Sequence, residues 1–137
     1  MKKVLLTGIN GTVAQALKRQ LADRYEVSGV SIARMDDVLR EDRPVTWKQQ
    51  LDAYRQRVTD QMRAELRGKD AVAHLGWNTR DEHCNGGLDP LNILVVDCVY
   101  QAAIAEGVSR IYMASSVHAY DFTRFWQSDG EPVPPFP

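Results

Sequence analysis

The sequence predicts an α/β fold in which a parallel, doubly wound sheet lies between two layers of helices. Short apolar segments alternate with longer segments whose apolar residues recur every three or four positions, and these are the patterns of buried strands and amphipathic helices. Polar or glycine-rich residues follow the apolar segments. This is where ligands bind in sheets whose strands all run in one direction.

The first strand and the first helix are joined by a turn with two glycines. The apolar run 4–6 (VLL) is typical of a buried strand, and Gly8 and Gly11 follow it. Strand, glycine turn and helix predict a phosphate-binding unit, with Gly8 at the sharp turn and helix amides facing the anion. Gly11 is expected to let the backbone approach a pyrophosphate, in a conformation that only glycine takes freely. The alternative is an ordinary connection in which the glycines serve only the turn. The helix that follows has its apolar residues on one face: Val13, Ala14, Leu17 and Leu21.

Length, composition and charge fit one soluble domain over residues 1–137. The chain is 44% hydrophobic and 26% charged with a formal net charge of −1, which does not favour nucleic-acid or membrane-surface binding. It has neither an apolar run that could span a bilayer nor a signal-peptide pattern. Two cysteines without metal-type spacing predict no metal site and no disulfide framework. A cytoplasmic location is therefore expected.

The later elements continue the alternation of strand and helix. The spacing of apolar residues in 47–66 predicts a helix, with a short strand at 55–58 as the alternative. Residues 130–137 are rich in proline and are expected to form a tail. The other predictions are strands at 25–31, 71–75 and 110–114 and a helix at 88–106 that Gly107 ends.

Four polar segments follow the predicted strands, at 8–13, 31–34, 75–79 and 114–118. Because the carboxyl ends of parallel strands meet at one edge of a sheet, these segments are expected to form one cleft. The sequence therefore predicts a Rossmann-like dinucleotide-binding domain. His74, inside an apolar strand, is expected to be a hydrogen-bonded core residue. Asn92, in an apolar helix, is expected to bond the backbone of a neighbouring strand.

These segments resemble the extended short-chain dehydrogenase/reductase family, often labelled NAD-dependent epimerase/dehydratase. Residues 7–14 (TGINGTVA) resemble its TGxxGxxG motif with the last glycine replaced by alanine. Residues 70–76 (DAVAHLG) are similar to its DxVxHLA strand. Asn92 with 102–103 resembles its NxxGTxNxxxAA helix, and 111–116 (IYMASS) resembles the strand that ends at the active-site serine.

The resemblance implies an NAD(P)-dependent oxidoreductase or epimerase that acts on a sugar or sugar acid. Ser116 would then be a catalytic residue that polarises the substrate oxygen. Residues 74–76 and 115–118 are most similar to hexuronate dehydrogenases, which implies Thr79 and His118 as substrate-binding residues. The implied cofactor-binding residues are Gly8, Asn10, Gly11, Thr12, Val13, Leu75, Gly76, Ala114 and Ser115.

The sequence leaves the choice between NADP and NAD open. Arg34 follows the second predicted strand and could hold the 2′-phosphate of NADP. This slightly favours NADP over NAD as the predicted cofactor. In the alternative, Arg34 is a solvated loop charge and Asp36 or Asp37 bonds the ribose diol. Asp60 is a candidate for the adenine-contacting aspartate that the resemblance implies.

The catalytic base of the family has no counterpart in this sequence. That base is the tyrosine of a YxxxK motif, and no tyrosine here has a lysine four residues later. The chain is therefore expected to be the cofactor-binding half of an enzyme, inactive alone and with a sheet incomplete at the carboxyl end. An exposed edge or apolar face would favour self-association or a second chain. The alternative is a non-catalytic dinucleotide-binding module or a truncated remnant.

Overall fold

The computed structural model describes residues 1–34, 46–78 and 91–114. In these ranges the sheet has the order β2-β1-β3-β4, and all its strand pairs are parallel. The chain places β2 on one side of β1 and then crosses to β3 on the other, so the sheet is doubly wound, as predicted. The elements are β1 (Lys2–Thr7), α1 (Thr12–Leu21), β2 (Tyr25–Val30), α2 (Trp47–Leu66), β3 (Ala71–His74), α3 (Leu91–Ala105) and β4 (Arg110–Met113).

Helices cover both faces of the sheet because alternate strand residues point to opposite sides. In β1, Leu5 packs into a core shared with α2 and α3. Its neighbours Val4 and Leu6 pack into a second core on the other face, to which Leu17 of α1 contributes. The two inner strands, β1 from Val4 onward and β3, are therefore buried on both sides, which explains why their sequences are apolar runs and not alternating patterns.

The segment 47–66 is a helix throughout, so the alternative of a short strand at 55–58 is wrong. Thr46 begins the helix with a capping box, in which its side chain accepts from the Gln49 amide and the Gln49 side chain accepts from the Thr46 amide. The buried residues are Tyr54, Val58, Met62 and Leu66. Their four-residue spacing fixes one helix face against the sheet, which a strand at this position would break.

The helix α3 ends as the sequence predicts. Gly107 has φ +70°, and the Val108 amide donates to the Ala103 carbonyl at 2.9 Å, which closes a glycine C-cap. Residues 88–90, which belong to the predicted helix, lie outside the described residues, as does the tail at 130–137. Salt bridges between Arg55 and Asp97 and between Arg63 and Glu106 join α2 to α3.

The face of β3 and β4 that is on the α1 side carries an open groove of about 510 Å³. It runs along the strands between Leu17 and Leu21 of α1 and Tyr112 of β4, and Tyr112 is 56% exposed. In the parts of the chain that the structure describes, no helix combines the length and the apolar character that a membrane crossing requires.

Candidate functional site

The candidate site lies at the carboxyl ends of β1 and β3, the two strands between which the winding of the sheet changes direction. Ligands of doubly wound sheets bind at such a point, because the connections leave the two strands on opposite faces and open a crevice. Here the crevice is bordered by the turn that follows Thr7 and by the segment that follows His74.

The Thr7 side chain joins these two strand ends. Its hydroxyl oxygen accepts hydrogen bonds from the amides of Leu75 and Gly76, both at 3.1 Å. The same oxygen lies 2.8 Å from Nδ1 of His74. Thr7 is fully buried, so these three contacts replace the water that the hydroxyl would otherwise bond.

These contacts fix the tautomer of His74. A hydroxyl has one hydrogen to donate and two lone pairs, and both lone pairs of Thr7 accept backbone amides. The hydroxyl must therefore donate to Nδ1, and the imidazole carries its hydrogen on Nε2. Burial lowers the pKa of His74, which keeps the ring neutral. Nε2 has no hydrogen-bond partner among the described residues, so the predicted bonded core histidine is only half confirmed.

Gly8 and Gly76 bring the two backbones into contact above Thr7. Gly8 has φ +66°, and a Cβ on it would lie 2.7 Å from Cα of Gly76. A Cβ on Gly76 would lie 3.3 Å from the Gly8 nitrogen and 3.3 Å from the Thr7 hydroxyl oxygen. The predicted sharp turn at Gly8 is confirmed. Glycine is required there for two reasons, the left-handed backbone conformation and the lack of room for a Cβ beside Gly76.

The turn leads directly into an uncapped helix start. The Gly11 amide donates to the Gly8 carbonyl at 2.8 Å, and the Gln15 amide makes the first helical bond, to the Gly11 carbonyl, at 3.0 Å. Gly11 has φ −79° and no side chain to cap the helix, so the expectation of a conformation reserved for glycine is wrong at this position. The amides of Thr12 and Val13 have no acceptor within the helix, and residues 10–13 are exposed.

Side chains of α2 form hydrogen bonds with the backbone of the segment 31–34, which follows β2. The Gln61 side chain accepts from the Ala33 amide at 3.0 Å and donates to the Ser31 carbonyl at 3.0 Å. The Tyr54 hydroxyl donates to the Ala33 carbonyl at 3.0 Å. Arg34 follows and is exposed. Asp36 and Asp37, the alternative ribose ligands, lie outside the described residues.

The segment after β3 is bonded by α3 in a similar way. The Asn92 side chain is buried, accepts from the Asn78 amide at 2.8 Å and donates to the Asn78 carbonyl at 2.9 Å. The prediction that Asn92 bonds a neighbouring backbone is confirmed, although the partner follows the strand. Leu75 and Gly76 are half-buried beside it. Thr79 lies outside the described residues.

The segment after β4 is described only to Ala114, whose amide donates to the His74 carbonyl at 3.1 Å. This bond places Ala114 at the same sheet edge, next to the Thr7–His74 pair. Ser115, Ser116 and His118 lie outside the described residues, so their proposed roles stay predictions.

Asp60 does not occupy the position that the resemblance implies. It lies in the middle of α2 instead of after a strand, and its carboxylate accepts from the Gln56 side chain at 2.9 Å. Within residues 1–34, 46–78 and 91–114, no three metal-ligating side chains form a group that could hold a metal ion.

Sequence reasoning missed three residues that build this site: Thr7 as the bonding centre, and Gln61 and Tyr54. Tyr54 and Gln61 lie seven residues apart and therefore on one helix face. That spacing predicts that the two side chains point in the same direction from the helix. Nothing local identifies their partners, which lie between 21 and 30 residues away in sequence.

The fold and the glycine turn define a Rossmann-like α/β protein. No protein-family model matches the sequence, and no curated protein matches it. Among solved structures, a mutated uronate dehydrogenase is similar, with 25% identity and a TM-score of 0.58 over 88% of this chain and 42% of that one. The uronate dehydrogenase from Agrobacterium tumefaciens is similar with 25% identity and a TM-score of 0.54, over 85% and 41%. The chain spans less than half of either protein, and both confirm the resemblance to extended short-chain dehydrogenase/reductases.

The contact between Gly8 and Gly76 predicts a large cost for a side chain at Gly8. Gly68 is a matched control, because it has φ +71° and a Cβ there would meet no atom of the described residues within 4 Å. Gly68→Ala should lower the free energy of unfolding by about 1–2 kcal/mol, the cost of the left-handed conformation alone. Gly8→Ala should lower it by about 3 kcal/mol or more, because the clash with backbone adds to that cost. Urea denaturation measures both, and equal losses would contradict the close approach.

The neutral, buried His74 predicts a pH-dependent stability. The unfolded histidine takes up a proton near its ordinary pKa of about 6.5, whereas the folded one resists protonation to lower pH. The free energy of unfolding should therefore fall as pH drops from about 7 to 5.5, by at most about 1.4 kcal/mol per pH unit from this group. His74→Asn keeps an oxygen acceptor for the Thr7 hydroxyl and removes the titration. The difference in free energy of unfolding between the two proteins should change with pH below about pH 7 and become constant above about pH 7.5. A difference that does not change with pH over the whole range would refute the assignment.

Proposed function

We propose that this chain binds NAD or NADP at the β1–α1 turn and is the cofactor-binding part of an oxidoreductase or epimerase acting on a sugar or sugar acid. The observation that carries the proposal is the exposed, uncapped first turn of α1, which follows the Gly8–Gly11 turn at the crevice between β1 and β3. The likeness to two structures named uronate dehydrogenase supports the substrate class.

The residues at the helix start fit a pyrophosphate. An anion there would accept from the Thr12 and Val13 amides, which lack helical acceptors, and would meet the positive end of the helix dipole. The Gly11 amide is used within the turn, so Gly11 contributes open space, not a donor. Gly8 and Asn10 complete the turn beside it. No carboxylate lies in the first turn of α1 to repel a phosphate.

The adenosine end of the dinucleotide would meet the segment after β2. We propose that Arg34 holds the 2′-phosphate of NADP, since a guanidinium can bond a phosphate through two parallel N–H groups. The exposed position of Arg34 leaves its side chain open to such a ligand. In the competing assignment, Asp36 or Asp37 bonds the two ribose hydroxyls of NAD and Arg34 makes no contact.

The nicotinamide end would lie between the segments after β3 and β4, beside Leu75, Gly76, Ala114 and Ser115. The bound cofactor supplies or accepts the hydride. The role proposed for Ser116 is to donate a hydrogen bond to the substrate oxygen as negative charge develops on it. Thr79 and His118 are proposed to bind the substrate.

A second candidate function is dinucleotide binding without catalysis. It is favoured by the sequence itself, in which no tyrosine is followed by a lysine four residues later. Binding is common to both candidates, and the coding sequence beyond residue 137 distinguishes them. A YxxxK motif there would support the enzyme, and its absence would leave dinucleotide binding without catalysis.

The proposed phosphate site predicts that a side chain at Gly11 abolishes binding without unfolding the protein. The φ of −79° allows any residue at this position, and the one atom of residues 1–34, 46–78 and 91–114 that a Cβ would meet is the Gly8 carbonyl oxygen, at 3.2 Å. Gly11→Val should therefore raise the Kd for NAD and NADP by at least about tenfold, because its methyl groups occupy the space of the phosphate. Isothermal titration calorimetry measures the Kd, and Gly11→Ala provides a smaller change should valine perturb the turn.

Ala105→Val is the control for added bulk, since Ala105 is exposed at the end of α3. It should bind both dinucleotides as the parent chain does. Binding by Gly11→Val with the parent Kd would show that the glycines form only a turn. Failure of the parent chain to bind either dinucleotide at millimolar concentration would remove the proposed function.

A further inference from the structure

We propose that Gln61 is a positioning residue for the adenosine end of the dinucleotide, acting through the backbone of residues 31–34. The inference rests on the proposed function and deepens it. It assigns to α2, a helix outside the glycine turn, the task of holding the segment that carries Arg34.

The Gln61 side chain takes the place of a neighbouring strand. It bonds the Ala33 amide and the Ser31 carbonyl, both at 3.0 Å, with the two ends of one amide group. A parallel strand would offer an acceptor and a donor to two such groups in the same way. β2 ends at Val30 and is an edge strand of the described sheet. Gln61 therefore continues the bonding of β2 beyond the point where the strand ends.

Tyr54 completes the bonding from the same helix face. Its ring is buried and its hydroxyl donates to the Ala33 carbonyl at 3.0 Å, so both backbone groups of Ala33 are bonded by α2. The side chains of Ile32 and Ala33 also pack against the larger core. These bonds and contacts fix the backbone immediately before Arg34, and the Arg34 side chain extends from a fixed base.

A comparison within the molecule indicates that this arrangement serves the site. Asn92 bonds the backbone of Asn78 in the segment after β3 with the same pair of amide atoms. The segments after β2 and β3 are thus each held by one side-chain amide from a helix on the same sheet face. Holding such a segment in advance saves the conformational entropy that a ligand would otherwise lose in ordering it.

The test measures binding in variants of the intact chain. Gln61→Met keeps the length and the helix propensity of the side chain and removes both hydrogen bonds. Isothermal titration should show the Kd of the more tightly bound dinucleotide rising about tenfold. Tyr54→Phe, which removes one bond and keeps the ring, should raise it about threefold. Gln56→Met is the matched control, because Gln56 is exposed on the same helix and its side chain bonds Asp60; its Kd should match that of the parent chain.

A spectroscopic measurement separates positioning from a general loss of stability. In Gln61→Met without ligand, the Ala33 amide should exchange with solvent faster, whereas the amide of Val72, a fully buried residue of β3, should exchange at the parent rate. In a double-mutant cycle, Arg34→Ala and Gln61→Met should each reduce the preference for NADP over NAD. The double variant should reduce it no further than Arg34→Ala alone.

An unchanged Kd in Gln61→Met, with normal binding by the parent chain, overturns this inference and leaves the proposed function in place. Equal acceleration of exchange at Ala33 and Val72 also overturns it, because the effect would then be global. If the parent chain binds neither dinucleotide, the proposed function itself fails and this inference fails with it. Fully additive effects in the cycle would show that Gln61 does not act through Arg34.

Discussion

The site depends on one buried hydroxyl group. The Thr7 oxygen contacts His74, Leu75 and Gly76, and these bonds tie the end of β1 to the end of β3 at the point where the sheet changes winding direction. A hydroxyl has only three hydrogen-bonding positions, and all three are used here. Valine at this position would have the same shape and would leave two half-buried amides and a buried ring nitrogen without the Thr7 oxygen, at a cost of up to about 1–3 kcal/mol for a group that water cannot reach.

The hydrogen bonds of Thr7 to residues 75 and 76 explain why Gly8 and Gly76 must be glycines. Because residues 75 and 76 are drawn onto the Thr7 side chain, the backbone of Gly8 must pass within contact distance of Gly76. The left-handed conformation of Gly8 then turns the chain toward α1, whose first amides are left exposed at the mouth of the crevice. The segments after β2 and β3 are held from the other side, by Gln61 and Asn92. The crevice is therefore bordered by backbone that is fixed by buried or half-buried side chains.

Much of the fold could be predicted from the sequence because its signals are local. The apolar runs of the strands, the four-residue spacing in α2 and the glycine after α3 each depend on neighbouring residues. The bonds made by Gln61 and Thr7 could not be predicted, since their partners lie far away in sequence and glutamine and threonine are common in roles of many kinds. The placement of Asp60 failed because the resemblance implied a preceding strand where this chain forms a helix. The error at Gly11 arose because the conformation that only glycine takes freely was expected at Gly11, whereas Gly8 is the residue that adopts it.

The most direct test of this account is the tautomer of His74, measured by ¹⁵N nuclear magnetic resonance of the imidazole ring at neutral pH. The bonding of Thr7 requires a neutral ring with hydrogen on Nε2 and none on Nδ1. Long-range couplings from the ring protons should therefore show a protonated Nε2 and an unprotonated Nδ1. A hydrogen on Nδ1, or a doubly protonated ring, would mean that Thr7 does not accept both backbone amides, and would contradict the arrangement on which the site depends.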